Sequence, residues 1–236
     1  MRAVVLLALC SCSGVPVGTA AAAVTAPAAK AKPLEMFAIP DETMEFQATL
    51  RGMHVAGVQT AIGKAGWVDG HNAIIIRSRG KTEGIVALLG DIVWELTTTI
   101  DLDHSVAIDD HEEAWAELAG EKEHDNTKHA WTDGDQRQDV HSAVVALRGW
   151  RGAPGERTEM TVAVGGGHFP VALVNAARER VLDKPAVRYD GTALDRFHFS
   201  FWISDDLARV PLKFRTESVL GEIGIDLVDY QVPRDH

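Results

Sequence analysis

The sequence predicts a mainly β, antiparallel fold, and three observations carry that expectation. From Leu194 to Tyr230 apolar and polar residues alternate through three consecutive stretches separated by short breaks. The same period-two pattern recurs between Met44 and Ile100 and again between Met160 and Leu173. Clear helical spacing is confined to Asp139–Trp150, where Val140, Ala143, Val144 and Leu147 share a face.

The C-terminal stretch is the most aromatic. Side chains on a strand alternate between faces. Phe197, Phe199, Phe201 and Ile203 therefore share one face, with His198, Ser200 and Trp202 on the other. Asp205–Asp206 ends the run, because an aspartate carboxylate captures nearby backbone N–H groups in a turn. Val210, Leu212 and Phe214 then alternate with Arg209, Lys213 and Arg215. Glu217–Ser218 reads as a tight connection, and Val219 to Val228 as the last strand of a meander. Phenylalanine buries a large apolar area, so this meander is expected at the centre of the core.

Composition narrows the function. The chain has 236 residues and a net charge of -11, which excludes nonspecific nucleic-acid binding and disfavours anionic lipid surfaces. Both cysteines, Cys10 and Cys12, fall in the first dozen residues. The rest of the chain thus has no thiol for a disulfide, a nucleophile or a metal site. After Leu9 no apolar run is long enough to span a bilayer as a helix.

In chain order, residues 1–12 read as an export signal: Arg2, then the apolar Ala3–Leu9. Leu9-Cys10-Ser11-Cys12 resembles a bacterial lipobox, which implies cleavage before Cys12 and a lipid on Cys12. Ordinary cleavage within Ala20–Ala23 is the alternative and would leave a soluble periplasmic protein. Residues 13–35 are Ala/Pro-rich, have little to bury, and read as a disordered tether. The β-rich domain is expected over 36–236.

Within it, Met44–Leu50 and Ala56–Ile62 flank a turn at Arg51–Gly52. Asp69–Gly70 is a hairpin signal before a strand over Ala73–Lys81. Gly84–Gly90 reads as one helical turn or a buried corner, and Ile92–Ile100 as a strand. In segment 101–136, Asp110 and Glu113 fit a capping box for a helix over 111–119, which local propensity favours, while strands with a turn at Asp125–Asn126 are the alternative. Asp139 and Gly149 suit the two ends of the helix. Gly165–Gly167 turns a hairpin, and Ala176–Leu182 and Pro185–Arg188 read as short strands before Asp190–Gly191.

Several motifs fit together: Phe46 followed by His54-Val55-Ala56-Gly57, the Ile74–Gly90 segment, Ala146-Leu147-Arg148, and Val187-Arg188-Tyr189-Asp190-Gly191. The most specific is Phe201-Trp202-Ile203-Ser204-Asp205-Asp206, followed by Arg209-Val210-Pro211-Leu212 and Leu220-Gly221. On these the chain, from about Met36 to Val232, resembles the bacterial domain-of-unknown-function 3108 (DUF3108) family. Its members are exported, β-rich and often lipid-anchored, with no assigned catalytic residues. The resemblance implies a curved antiparallel sheet or half-open β-barrel with one or two short helices, like envelope proteins that hold lipid, and it tips segment 111–119 toward strand. Fold alone does not establish function.

The remaining constellations divide between chemistry and architecture. Asp103, His104, Asp109, Asp110, His111, His124 and His129 are the only metal-ligand candidates, and their spacing matches no zinc motif; a solvated acidic loop is the plainer reading. His198 and Ser200 share a strand face but sit too far apart for a nucleophile and base, and no G-x-S-x-G elbow occurs. No enzyme and no cofactor are expected. Trp94, Phe197, Phe199, Phe201 and Trp202 are the candidate lining of an apolar ligand site, provided no helix fills the concave face of the sheet. The leading expectation is an envelope lipoprotein that binds a lipid or other apolar ligand. A structural module binding a protein partner is the second, and a metal-binding protein using 103–129 the third.

Overall fold

A computed structural model describes residues 34–232, apart from 89, 119, 131–136, 165–166 and 195; for 118 and 137 it describes the backbone alone. Residues 1–33, with the signal, Cys12 and most of the tether, lie outside the described residues.

The strands are β1 (Thr43–Leu50), β2 (Met53–Ile62), β3 (Gly66–Val68), β4 (His71–Thr82), β5 (Gly90–Asp101), β6 (Val106–Leu118), β7 (Glu121–Ala130), β8 (Arg137–Gln138), β9 (Arg157–Val164), β10 (Gly167–Val181), β11 (Lys184–Ala193), β12 (Phe197–Ser204), β13 (Pro211–Ser218) and β14 (Gly221–Gln231). The single α-helix among the described residues, α1, spans Val140–Gly149. The strands form one sheet, in the order β7-β6-β5-β4-β2-β1-β14-β13-β12-β11-β10-β9-β8, with β3 paired to β4. The sheet is antiparallel except for the β8–β9 pair, and it does not close into a barrel.

Turn chemistry explains the hairpins. Arg51–Gly52 (φ 51° and 75°) and Asp69–Gly70 (φ 48° and 87°) place two successive residues in the left-handed region, as the tightest β-hairpins require. Leu182–Asp183 does the same at φ 49° and 60° without a glycine, so β10 and β11 form one long hairpin. The short strands expected there are its tip. Asp190–Gly191 lies inside β11 and does not break it.

Other expected boundaries shift. Segment 101–136 does contain strands, but its hairpin turns at Gly120 (φ 85°), and Asp125–Asn126 sits mid-strand in β7. The last turn is at Val219–Leu220, two residues beyond the expected Glu217–Ser218. Gly84–Gly90 holds a 3-10 turn at Val86–Leu88, yet it is not a buried corner: Ile85 and Leu88 face outward.

The helix forms where its spacing predicts. Asp139 caps it, with Oδ1 accepting from Ser142 N at 2.8 Å. Val145 packs with Met44, Ile62, Ile74, Ile76 and Ile100 from the first half of the chain. Leu147 and the adjoining Trp150 pack with Val171, Leu173, Val187, Tyr189 and Ile203 from the second half. One helix touching both wings of a single sheet means the sheet curls around it. Leu34 and Met36 also pack against these clusters. Phe37 N donates to Val145 O at 3.1 Å, and an added Cβ on Gly149 would lie 1.7 Å from Glu35 O. Leu34 and Glu35, inside the span expected to be tether, therefore belong to the packed unit.

Candidate functional site

Strand register decides which candidate residues share a surface. Phe46 stands opposite Val58, Val58 opposite Gly80, and Gly80 opposite Trp94. On the other wing Phe199 stands opposite Thr216, and Phe201 opposite Phe214 and, on its other side, Tyr189. Phe214 pairs with Ile225, and Ile225 with Ala48, which completes the row back to β1. Trp94, Phe46, Phe199, Phe201 and Phe214 therefore line the same concave face that holds α1.

Trp202 does not. It points to the opposite face, where its Nε1 donates to a Glu179 carboxylate oxygen and Lys213 Nζ lies 5.3 Å from its ring centroid. Residues two apart on a strand share a face, while adjacent ones do not. Trp94 and Phe199 share the face but not a contact zone, with five strands between them. The aromatic cluster that forms is Phe197–Phe199–Phe214, with ring centroids 6.2 Å and 5.6 Å apart. The Phe199 ring lies over Gly191, where an added Cβ would come within 2.1 Å of it. Trp94 likewise covers Gly80.

The condition for that site, a concave face free of a helix, is met only in part: α1 fills one end. Along β1, burial falls from Met44 (4% exposed) to half-buried Phe46, Ala48 and Leu50. Along β12 it falls from Ile203 (0%) to half-buried Phe201, Phe199 and Phe197. β2 repeats the pattern from Ile62 to Val58 and Ala56. On β5, β13 and β14 the row is less regular, with Ile92, Thr216 and Ile223 buried; the concave face is thus a trough, closed by the helix at one end and lined with mostly half-buried apolar groups toward the other.

Two buried polar networks hold the helix in place. Near its start, Ser78 Oγ lies 2.7 Å from both Thr60 Oγ1 and His141 Nε2, and His141 Nδ1 lies 2.8 Å from Thr98 Oγ1. Thr98 donates to the Asp139 carboxylate, so it accepts from His141 Nδ1–H. Nε2 is then the acceptor for Ser78, and Ser78 accepts from Thr60. Burial lowers the His141 pKa, against an opposing pull from Asp139, and keeps the imidazole neutral as this direction requires. The chain resembles a nucleophile–base relay, but Ser78 is buried and His141 is packed beneath the sheet, so it is a clamp.

At the far end, Arg148 and Glu42 form a fully buried pair, with Arg148 Nη2 3.0 Å from Glu42 Oε2. Arg148 also donates to the carbonyls of Arg209 (2.9 Å) and Ala208 (2.9 Å). Arg209, buried in turn, donates to Arg148 O, Trp150 O and the Tyr189 hydroxyl. Its charge is balanced by carbonyls at the helix C-terminus, where the macrodipole favours a cation. Tyr230 donates to Glu42 at 2.9 Å; burial, the Glu42 charge and that bond push its pKa up. Arg209 is therefore a core residue rather than part of a turn ion pair. The turn itself is fixed by Asp206 Oδ1, which accepts from Ser204 Oγ, Ala208 N and Arg209 N.

The candidate metal ligands scatter. His129 pairs with Asp110 (2.7 Å) on one face of β6–β7, and His124 with Glu113 (2.8 Å) on the other, stacked on Trp115. His111 contacts Asn126, and His104 joins His71 on Asp101. Burial raises Asp101, but bonds from His104, His71 and two backbone N–H groups outweigh it and bring the pKa down to about 2. Burial raises Asp110 and Glu112. Among the described residues no group of three or more His, Cys, Asp or Glu is placed to hold a metal ion. A groove of about 500 Å³ lies across β14, β1, β2 and β4, lined by Glu45, Gln47, Gln59, Arg79 and Lys81; these residues point away from the trough.

No family model matches the chain, and no curated protein matches it. Solved structures do. The chain is similar in fold to a DUF1849 protein. That structure, a beta-barrel-like protein of a domain of unknown function from Brucella abortus, aligns at a TM-score of 0.53 and 10% identity, over 84% of this chain and 100% of its own. An exported-protein candidate with a YmcC-like fold from Bacteroides fragilis aligns at 0.36 and 8%, covering 84% of this chain and all of that one. A lipoprotein candidate from Parabacteroides distasonis aligns at 0.35 and 6%, covering 83% and 99%. The first supports the barrel-like architecture; the other two score too low to add to it.

Proposed function

We propose that this is a non-enzymatic cell-envelope protein, tethered as a lipoprotein through Cys12, that holds an apolar ligand of lipid class in the open end of its trough. The observation that carries this reading is the burial gradient: the helix seals one end of the concave face and leaves Phe46, Trp94, Phe197, Phe199 and Phe214 half-buried toward the other. Half-buried aromatics on a concave surface offer large contact area at little conformational cost, the common character of apolar ligand sites. Phe201 contributes from beneath, packed toward Trp150. The resemblance to the DUF3108 family, whose members are exported and often lipid-anchored, agrees with this placement.

One observation favours a second reading. The lower half of the trough is filled by a helix clamped through two polar networks, as suits a rigid module that presents its surface to a protein partner. Native mass spectrometry separates the two. Residues 1–23 are exchanged for a cleavable export leader, and the protein is purified from the periplasm without detergent. The ligand reading expects an adduct of lipid mass, lost in a Phe197→Ser/Phe214→Ser variant that still unfolds cooperatively. A clean apo mass, with no uptake of an added fatty-acid probe, refutes it and leaves the module.

A further inference from the structure

In a meander, alternate connections lie at the same end of the sheet. Leu50 stands opposite Ile223 and Ala56 opposite Thr82. The β1–β2, β4–β5, β11–β12 and β13–β14 connections therefore share an end, the one toward which the trough opens. Each places aliphatic side chains in solvent: Met53; Ile85 and Leu88 (84% exposed); Leu194; Val219 (78% exposed) and Leu220. Hydrogen bonds join neighbouring tips. Arg51 Nε donates to Leu220 O at 2.5 Å, and Glu83 N donates to Val55 O at 2.8 Å. Most of these apolar tips thus form one continuous rim.

We infer that this rim docks on the surface of a lipid bilayer, with the aliphatic tips of the β1–β2, β4–β5 and β13–β14 turns seated among the headgroups and the trough opening toward the acyl chains. Exposed apolar groups on adjoining tips mark an interaction surface. The β6–β7 tip at the same end is charged (Glu117, Glu121, Lys122), and the opposite end also exposes Trp67, Leu182 and Leu207. Single aliphatics on separate turns suit a fluid bilayer, which needs no shape-matched partner. The net charge of -11 directs the rim to zwitterionic lipid. Reach permits it: the 22 peptide links from Cys12 to Leu34 extend to about 70 Å at full stretch. A twelve-residue strand such as β4 is about 40 Å long. A lipid on Cys12 can therefore lie in the same bilayer as the rim. The inference extends the proposed function by naming the source of the ligand, and rests on it for what enters the trough and for the lipid on Cys12.

The other end of the sheet is the internal control. Leu207 (89% exposed) is as bare as the rim, but it lies beside the Arg148–Arg209 network that closes the trough. Full-length protein with Cys10→Ser is reconstituted in phosphatidylcholine vesicles and labelled with an environment-sensitive nitrobenzoxadiazole at Leu88→Cys, Val219→Cys or Leu207→Cys. The parent without an introduced thiol sets the background. Docking by the rim predicts blue-shifted emission at 88 and 219 and none at 207. It also predicts loss of the shift at 219 when Met53→Asp and Leu88→Asp are added, changes that folding tolerates at exposed sites. A shift at 207, at both ends or at no position overturns the inference; the last leaves the rim to a protein partner. The ligand reading fails separately: a blue-shifted rim with no lipid adduct keeps the docking and removes the ligand.

Discussion

Arg148→Met is the sharpest test of how the trough is closed. Arg148 and Glu42 are both fully buried, and the arginine satisfies the carboxylate together with the carbonyls of Arg209 and Ala208. Methionine keeps most of the apolar stem but strands Glu42, with Tyr230 its remaining side-chain partner. Breaking a buried ion pair from one side costs about 3–5 kcal/mol. The two carbonyls that lose a donor add about 1 kcal/mol each. A domain of this kind has about 5–15 kcal/mol in total. The variant should therefore unfold at least about 1 M earlier in urea, for a denaturant slope of about 3 kcal/mol/M. The six tryptophans supply the fluorescence signal. Adding Glu42→Gln removes the stranded charge and should recover at least about 1 kcal/mol, since most of the penalty lies in the orphaned carboxylate rather than in the lost attraction. An Arg148→Met protein within about 1 kcal/mol of wild type, or a double variant no better than the single, would refute the reasoning.

Other expectations follow from the same contacts. His141 is buried neutral, so its folded pKa lies below the unfolded value of 6.5; its contribution is present above that pH and lost as pH falls through it. Urea midpoints should drop between pH 7.5 and 5.5 in wild type, and a His141→Gln protein should show a flatter profile. Asp101, with a folded pKa of about 2 against 3.8, contributes stability that is complete above pH 4 and disappears toward pH 2; Asp101→Asn should remove that acid limb. Gly149→Ala forces a Cβ into the Glu35 carbonyl and should release the Leu34–Phe37 segment, read as faster proteolytic trimming with little change in circular dichroism.

Much of the fold was legible because a curved sheet repeats one rule. Alternation located β1, β2, β4, β5 and the β12–β14 meander, and Arg51–Gly52 and Asp69–Gly70 announced their turns. The boundaries that slipped lacked a local signal. Leu182–Asp183 adopts a left-handed hairpin turn without glycine. Asp190–Gly191 looks like a turn, but its glycine serves the Phe199 ring on the neighbouring strand. The helix was read correctly from its spacing, whereas its seat inside the trough was not, because strand order and curvature are decided by pairings between distant residues. Arg148, Glu42 and Arg209 were missed as a core network for the same reason: 106 residues separate the first two, and a buried arginine reads as a surface charge in sequence. Parity sets Trp202 on the face opposite the phenylalanines, so its place among the candidate lining residues conflicted with the alternation itself.

The pairing of β1 with β14 has a consequence for biogenesis. Thr43 finds its partner at Gln231, so among the described strands the first made must wait for the last. Until then β1 presents an open edge, Glu42 lacks Tyr230, and the half-built sheet offers unpaired backbone to any other nascent chain. Contacts spanning nearly the whole chain slow folding. A chain truncated before β14 would lack its central seam and become a substrate for chaperones and proteases.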